Sequence, residues 1–118
     1  MKVLTKKYLN EFYQNCTKND IRGFYYRSRL HSVIVLEIAL STFEKNNMVS
    51  FEYLCEGIPK IIGKRTTIQT ILNDGIRKGY FIKNLNPNDK RIKYYNLDIM
   101  SQSIMENWWK LHDDRVIL

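Results

Sequence analysis

Apolar residues recur along this chain in two rhythms, and the change from one to the other divides it. Leu4, Tyr8, Phe12 and Cys16 fall every four residues with Leu9 and Tyr13 beside them, which gathers side chains on one face of a helix and leaves Lys6 and Lys7 off that stripe. Asn, Asp and Gly between residues 19 and 23 offer turn and cap chemistry, so the helix is expected to stop there. An aromatic and basic bridge, residues 24–29, follows. From Ser28 onward, Leu30, Val33, Ile34, Ile38, Leu40 and Phe43 cover most of a helix's girth, predicting an element that runs through the core and ends at Lys45, Asn46 and Asn47. Ser50 is a candidate N-cap for a helix of about two turns carrying Phe51, Leu54 and Cys55. Residues 58–63 are part of a second small helix or its lead-in turn. A longer helix begins at Arg65, with Ile68, Ile71, Leu72 and Ile76 on its buried face and Gly79 as its stop. Beyond Gly79 the helical period gives way to β-branched and aromatic runs at 80–85 and 92–97, joined by Asn86, Pro87, Asn88 and Asp89, which predicts a hairpin. Asp98 then caps a final helix marked by Met100, Ile104, Trp108 and Leu111, with Met105 and Trp109 on an adjoining strip.

This order predicts a mainly α fold with a small β-hairpin (α+β): a winged helix-turn-helix with flanking N- and C-terminal helices. A chain of 118 residues accommodates a single winged-helix domain, with a basic and aromatic N-terminal helix over 1–27, the core over 28–98 and a C-terminal helix over 99–118.

Charge sharpens the picture. The net charge is +7, and it is unevenly spread. Residues 1–30 hold seven basic and two acidic side chains and residues 57–97 hold nine and two, whereas 31–56 hold one and four and 98–118 two and four. Two basic blocks separated by acidic stretches suit one polyanion-binding face better than a uniformly solubilising surface. The 44% apolar and 13% aromatic content supports a folded chain. No run approaches the ~20 apolar residues of a membrane span, and the basic start lacks the apolar stretch of a signal peptide. A cytoplasmic protein without membrane contact is expected. Outside a secretory route the sequon at Asn15, Cys16 and Thr17 carries no weight, and Cys16 and Cys55 stay reduced.

The polar face of the helix that starts at Arg65 offers the candidate chemistry. Thr66, Thr67, Gln69, Thr70 and Asn73 can exchange hydrogen bonds with base edges or phosphates, Gln and Asn matching adenine bidentately. Lys64, Arg65 and Arg77 add phosphate contacts, which bring affinity and salt dependence but little sequence information. Taken singly, each of these residues also fits the wet side of an amphipathic helix; what favours function is their position between a short helix and a basic hairpin.

Here the sequence resembles the MarR family of bacterial regulators over roughly residues 30–100. Family wings commonly read Asp-Pro-x-Asp-x-Arg followed by Leu and Thr, and this chain has Asn86, Pro87, Asn88, Asp89, Lys90 and Arg91, then Leu97 and Asp98. Thr66, Thr67 and the run Ile76, Arg77, Lys78, Gly79, Tyr80 are similar to the family's recognition helix and its closing segment. Asn86 and Asp98 depart from the pattern while keeping turn and cap chemistry. The resemblance implies that Arg91 enters the minor groove of double-stranded DNA, its guanidinium held by Asp89, with Lys90 at the same wing tip. It also implies a homodimer, formed here by the 4–16 helix and the segment from Met100, where Trp108, Trp109, Val116, Ile117 and Leu118 offer apolar surface. It further implies a possible small-molecule effector of unknown identity, in a crevice for which Tyr13, Phe24, Tyr25 and Trp108 are candidates, although burial in a core is the commoner use of such rings.

The expected function is a sequence-specific, double-stranded DNA-binding transcriptional regulator. The alternatives are a winged-helix replication or architectural factor of phage or plasmid type, and a protein-interaction winged helix. No enzyme, metal or cofactor is expected. Gly63, Lys64, Arg65 and Thr66 fail as a phosphate-binding loop, because Arg65 stands where Ser or Thr is needed and Ile58 where Gly is needed. His31 and His112 have no metal-like or catalytic spacing, and His112, Asp113 and Asp114 read as a solvated cluster.

Overall fold

The computed structural model describes the backbone of residues 1–44 and 48–116, and side chains up to residue 110. Lys45, Asn46 and Asn47, expected to end the third helix, lie outside the described residues, as do Ile117, Leu118 and the side chains of Leu111, His112, Asp113, Asp114 and Val116. In order come α1 (Lys2–Asn15), α2 (Ile21–Tyr25), α3 (Arg29–Glu44), α4 (Phe51–Gly57), α5 (Arg65–Arg77), β1 (Phe81–Leu85), β2 (Lys93–Leu97) and α6 (Ile99–Val116). This is the winged helix-turn-helix with flanking helices that the apolar rhythm predicts.

Local chemistry accounts for most of the boundaries. Ser50 caps α4 by accepting from the Tyr53 backbone N–H at 3.1 Å, and Asp98 caps α6 by accepting from the Ser101 N–H at 2.9 Å. Residues 58–63 form the lead-in turn and not a second helix, Pro59 O accepting from both Ile62 and Gly63. The end of α5 is a Schellman motif: Gly79 N–H bonds Ile76 O and Tyr80 N–H bonds Gly75 O, with Gly79 at φ +81°, a conformation that favours glycine.

The hairpin pairs antiparallel, with Phe81 opposite Leu97 and Leu85 opposite Lys93. A strand-like contact absent from the sequence prediction adds to it, since Val49 forms an isolated bridge with Tyr95, its O accepting from the Tyr95 N–H at 2.8 Å. Thr42 on α3 ties the same strand, its hydroxyl accepting from the Leu97 N–H at 3.0 Å. One apolar cluster joins the elements. Ile34, Val35 and Ile38 of α3, Leu54 of α4, Ile68 and Leu72 of α5, Phe81, Leu97 and Met105 are essentially inaccessible, and each such aliphatic side chain contributes about 1.5–3 kcal/mol when fully buried.

At both ends of the chain the structure departs from the sequence expectation. The N-terminal segment is two helices, because Asp20 does not close the first helix but caps a second, accepting from the Arg22 N–H at 2.9 Å while its carboxylate pairs with the Arg22 guanidinium. Phe24 and Tyr25, expected in a bridge, belong to α2, and Phe24 lies in the core. The apolar stripe of α1 does not face inward. Glu11 and Asn15 are buried, and Leu4, Tyr8, Leu9, Phe12 and Tyr13 are exposed. In α6 the inward face is Ser101, Met105 and Trp108, whereas Met100 lies outside. A hydrogen bond explains both rotations: the Trp108 indole N–H donates to Glu11 Oε2 at 2.9 Å, and Asn15 Nδ2 donates to the same oxygen at 3.1 Å. A buried indole N–H needs an acceptor, so polar Glu11 turns inward and the apolar residues of α1 turn out.

Gly75 sits where α5 meets β1. Alanine in a helix interior ordinarily stabilises by about 1 kcal/mol over glycine, but a Cβ at Gly75 would stand 2.3 Å from Phe81 Cδ2 and 2.5 Å from Cε2. Phe81 is fixed in the core and has no room to retreat. Gly75→Ala is therefore expected to lose roughly 1–3 kcal/mol in urea unfolding; an unchanged or raised midpoint would show that the helix–wing contact is loose.

Candidate nucleic-acid interface

The buried face of α5 is Ile68, Ile71, Leu72 and Gly75, with Ile76 only partly covered. The remaining girth is open: Lys64, Arg65, Thr66, Thr67, Thr70, Asn73 and Arg77 are exposed, and Gln69 is half-buried at the edge. The residues singled out in α5 therefore share one accessible surface. Asp89, Lys90 and Arg91 lie on the separate β1–β2 turn. Arg91 and Lys93 of the wing and Gln69 of α5 line a common groove with Ser50, Phe51 and Glu52, so the helix and the root of the wing border the same space.

Within this surface the groups are already oriented. Gln69 Nε2 donates to Asn73 Oδ1 at 3.0 Å, an i,i+4 pair that ties the two side chains together, and Gln69 also hydrogen-bonds the Tyr95 side chain. Thr70 returns its hydroxyl to Thr66 O at 2.9 Å. Three arginines are each held by a carboxylate. Arg65 meets Glu52 bidentately at 2.6 and 3.1 Å and lies over the Phe51 ring, 4.9 Å from its centroid. Arg77 pairs with Asp74. Arg91 meets both Asp89 oxygens at 3.1 Å through its side chain, and its backbone N–H donates to Asp89 Oδ1 at 3.0 Å. The Arg91 side chain is nonetheless 90% exposed, projecting from the wing on an aimed base.

The wing's turn is built from its own side chains. Asn86 Oδ1 accepts from the Asn88 N–H at 2.8 Å, Asn86 N–H donates to Ile92 O at 2.9 Å, and Asn86 Nδ2 donates to the Tyr94 hydroxyl at 2.7 Å. Asn86 thus supplies the turn chemistry that the sequence assigns to it.

Hydrogen bonds from Arg65 and from Arg91 hold the Glu52 and Asp89 carboxyls below their usual range. Burial pushes Asp74 up, but the hydrogen bond from Arg77 and the charges of Lys78 and Arg77 outweigh it and bring the carboxyl down. All three pairs are therefore ionised at neutral pH.

Two residues that sequence reasoning left out join this surface. Arg27, in the link between α2 and α3, places Nη1 3.3 Å from Asp74 Oδ2, and His31 of α3 lies beside it with Nδ1 2.7 Å from Ser28 Oγ. The signal was faint: a basic residue at 27 is legible, but its partner is 47 positions away. Of the aromatic candidates for an effector crevice, two touch each other. Phe24 packs on His31, Tyr80 and Phe81, Tyr25 stacks edge-on against Trp108, and Tyr13 is exposed. Among the described residues no cluster of His, Cys, Asp or Glu is placed to hold a metal, no disulfide forms, and no helix is long and apolar enough to cross a membrane.

No family model matches the chain, and no curated protein does. Solved structures do. S. aureus MepR in complex with DNA superposes with a TM-score of 0.68 at 10% identity, covering 97% of this chain and 82% of that one. Streptococcus pneumoniae FabT in complex with DNA gives 0.55 at 18% identity over 98% and 78%. MarR gives 0.56 at 11% over 96% and 72%. The fold is the MarR-like winged helix.

Burial pushes the His31 imidazole below its ordinary pKa of 6.5; Arg27 and Lys78 add like charge, and Asp74 opposes them. The folded chain then resists a proton that the unfolded chain accepts, so stability is complete above about pH 6.5 and falls as the pH drops below it. The melting temperature is expected to decline from pH 7.5 to 5.5, and His31→Phe, which keeps a ring against Phe24, to flatten that decline. Equal pH dependence in the two proteins would count against the assignment.

Proposed function

We propose that this protein is a sequence-specific, double-stranded DNA-binding transcriptional regulator, acting as a single winged-helix unit with α5 in the major groove and the wing tip in the minor groove. The observation that carries this reading is the pairing of an exposed polar face on α5 with an exposed Arg91 fixed at its base by Asp89. A helix fits the major groove, and a narrow minor groove concentrates negative potential that draws a projecting guanidinium. Asp89 limits the swing of Arg91 and so lowers the entropy lost when the guanidinium enters the groove. MepR and FabT, whose folds match, have each been seen in complex with DNA.

Roles follow from chemistry. Gln and Asn side chains suit the N6 amino group and N7 of adenine, and Gln69 and Asn73 are the amide residues that α5 offers for that contact. Thr66, Thr67 and Thr70 meet bases or phosphates, and Lys64, Arg65, Arg77 and Lys90 meet phosphates. Arg65 can reach a phosphate by exchanging an exposed carboxylate partner for it, a swap with little energetic barrier because exposed ion pairs are weak. We read the chain as a cytoplasmic binding protein and not as an enzyme.

The exposed apolar residues of α1, together with Ile99 and Met100 of α6, support a homodimer that presents two α5 helices to successive major grooves of a pseudo-palindromic site, about 34 Å apart.

Two outcomes are expected. Titration against duplex DNA at rising salt should give a log–log slope equivalent to several released counterions, and Arg91→Ala should weaken binding to the preferred site at least several-fold. Absence of binding at low salt, or a flat slope, would sink the DNA reading; full affinity in Arg91→Ala would take the wing out of the groove and favour a protein partner. Sedimentation should show a dimer that Leu9→Glu converts to monomer, and a wild-type monomer at tens of micromolar would rule out the α1 interface.

A further inference from the structure

Three cations converge on one carboxylate at the C-terminal end of α5. Asp74, whose side chain is only 17% exposed, pairs with Arg77 of its own helix, with Lys78 at 3.5 Å, and with Arg27 from the α2–α3 link at 3.3 Å. One negative and three positive charges leave a surplus of two. The surplus stands at the side of a cleft of about 630 Å³ that separates the start of α3 from α5, lined by Arg27, Ser28 and His31 on one wall and Thr67, Thr70 and Arg77 on the other. The α5 wall is thus made of residues already assigned to the DNA-facing surface, and the opposite wall belongs to a different element.

We infer that this cleft receives the sugar–phosphate backbone of one DNA strand bordering the groove that α5 enters, and that Arg27 contacts a phosphate there with Asp74 as its positioning residue. The inference rests on the DNA reading above. A cation at one wall and the Thr67 hydroxyl with a second cation at the other suit a phosphodiester, which offers only acceptor oxygens. Asp74 holds Arg27 and Arg77 together at one edge of the cleft. Because the carboxylate is shared among three cations, none is neutralised, and Arg27 remains half exposed for an anion.

Salt dependence separates a phosphate contact from a structural tie. Arg27→Gln keeps a side chain able to hydrogen-bond Asp74 and removes the charge. Its binding to random and preferred duplex is expected to weaken several-fold and equally, with the log–log salt slope reduced by about 0.9, one phosphate fewer. Arg27→Lys is expected to keep the wild-type slope, as is Lys7→Gln, which removes one charge from α1 instead. A wild-type slope in Arg27→Gln, or an equal reduction in Lys7→Gln, would overturn the assignment while leaving the DNA reading intact. Failure of the wild-type protein to bind duplex would overturn both.

Discussion

The Phe81 ring lying against Gly75 is the contact on which the rest of this architecture depends. It is the point at which α5 touches the first residue of the wing, and only a glycine lets the ring approach so closely. Two residues beyond the end of α5, Gly79 turns the chain through a left-handed conformation that other residues adopt at a cost of about 1–2 kcal/mol, and the strand begins two residues later. Together these glycines fix the angle between the helix and the hairpin. If that angle were free, Arg91 at the wing tip and Asn73 on the helix would have no constant separation.

From this joint the packing spreads in two directions. Phe81 meets Phe24 edge-on at 5.7 Å, and Phe24 in turn meets His31, so the ring that sets the wing also seats α2 and the beginning of α3. That seating brings Arg27 to the flank of α5. On the other side, β2 is held by Thr42 of α3 and by the Val49 bridge, which bind the hairpin to the helix-turn-helix through backbone groups that would otherwise be unpaired. The exposed polar face is therefore carried on a backbone secured from both sides.

Electrostatics gives the interface its second property. Arg65, Arg77 and Arg91 are each oriented by a carboxylate whose own ionisation those guanidiniums secure, so the cations are aimed before any partner arrives. The Arg65 and Arg91 pairs lie in water and contribute little stability. Their use is geometric: a planar guanidinium held at one edge presents its remaining donors in a defined direction.

What the sequence by itself determined was whatever depends on neighbours a few residues apart. The heavy apolar load of α3, the open face of α5, the Gly79 stop, the Ser50 and Asp98 caps and the hairpin turn follow from period, cap and turn chemistry within about seven positions, and the Asp89–Arg91 pair from the resemblance of the wing to a family pattern. They stand in the structure as expected. Only the tertiary structure decided which way α1 and α6 turn, since the acceptor that the Trp108 indole requires lies 97 residues away on Glu11 and outweighs the apolar stripe. It also decided that Phe24 is core, that Val49 joins the sheet, and that Arg27 reaches Asp74. Each of these is a contact between segments far apart along the chain. Local periodicity carries no record of such a contact, because its free energy arises only when folding removes both partners from water.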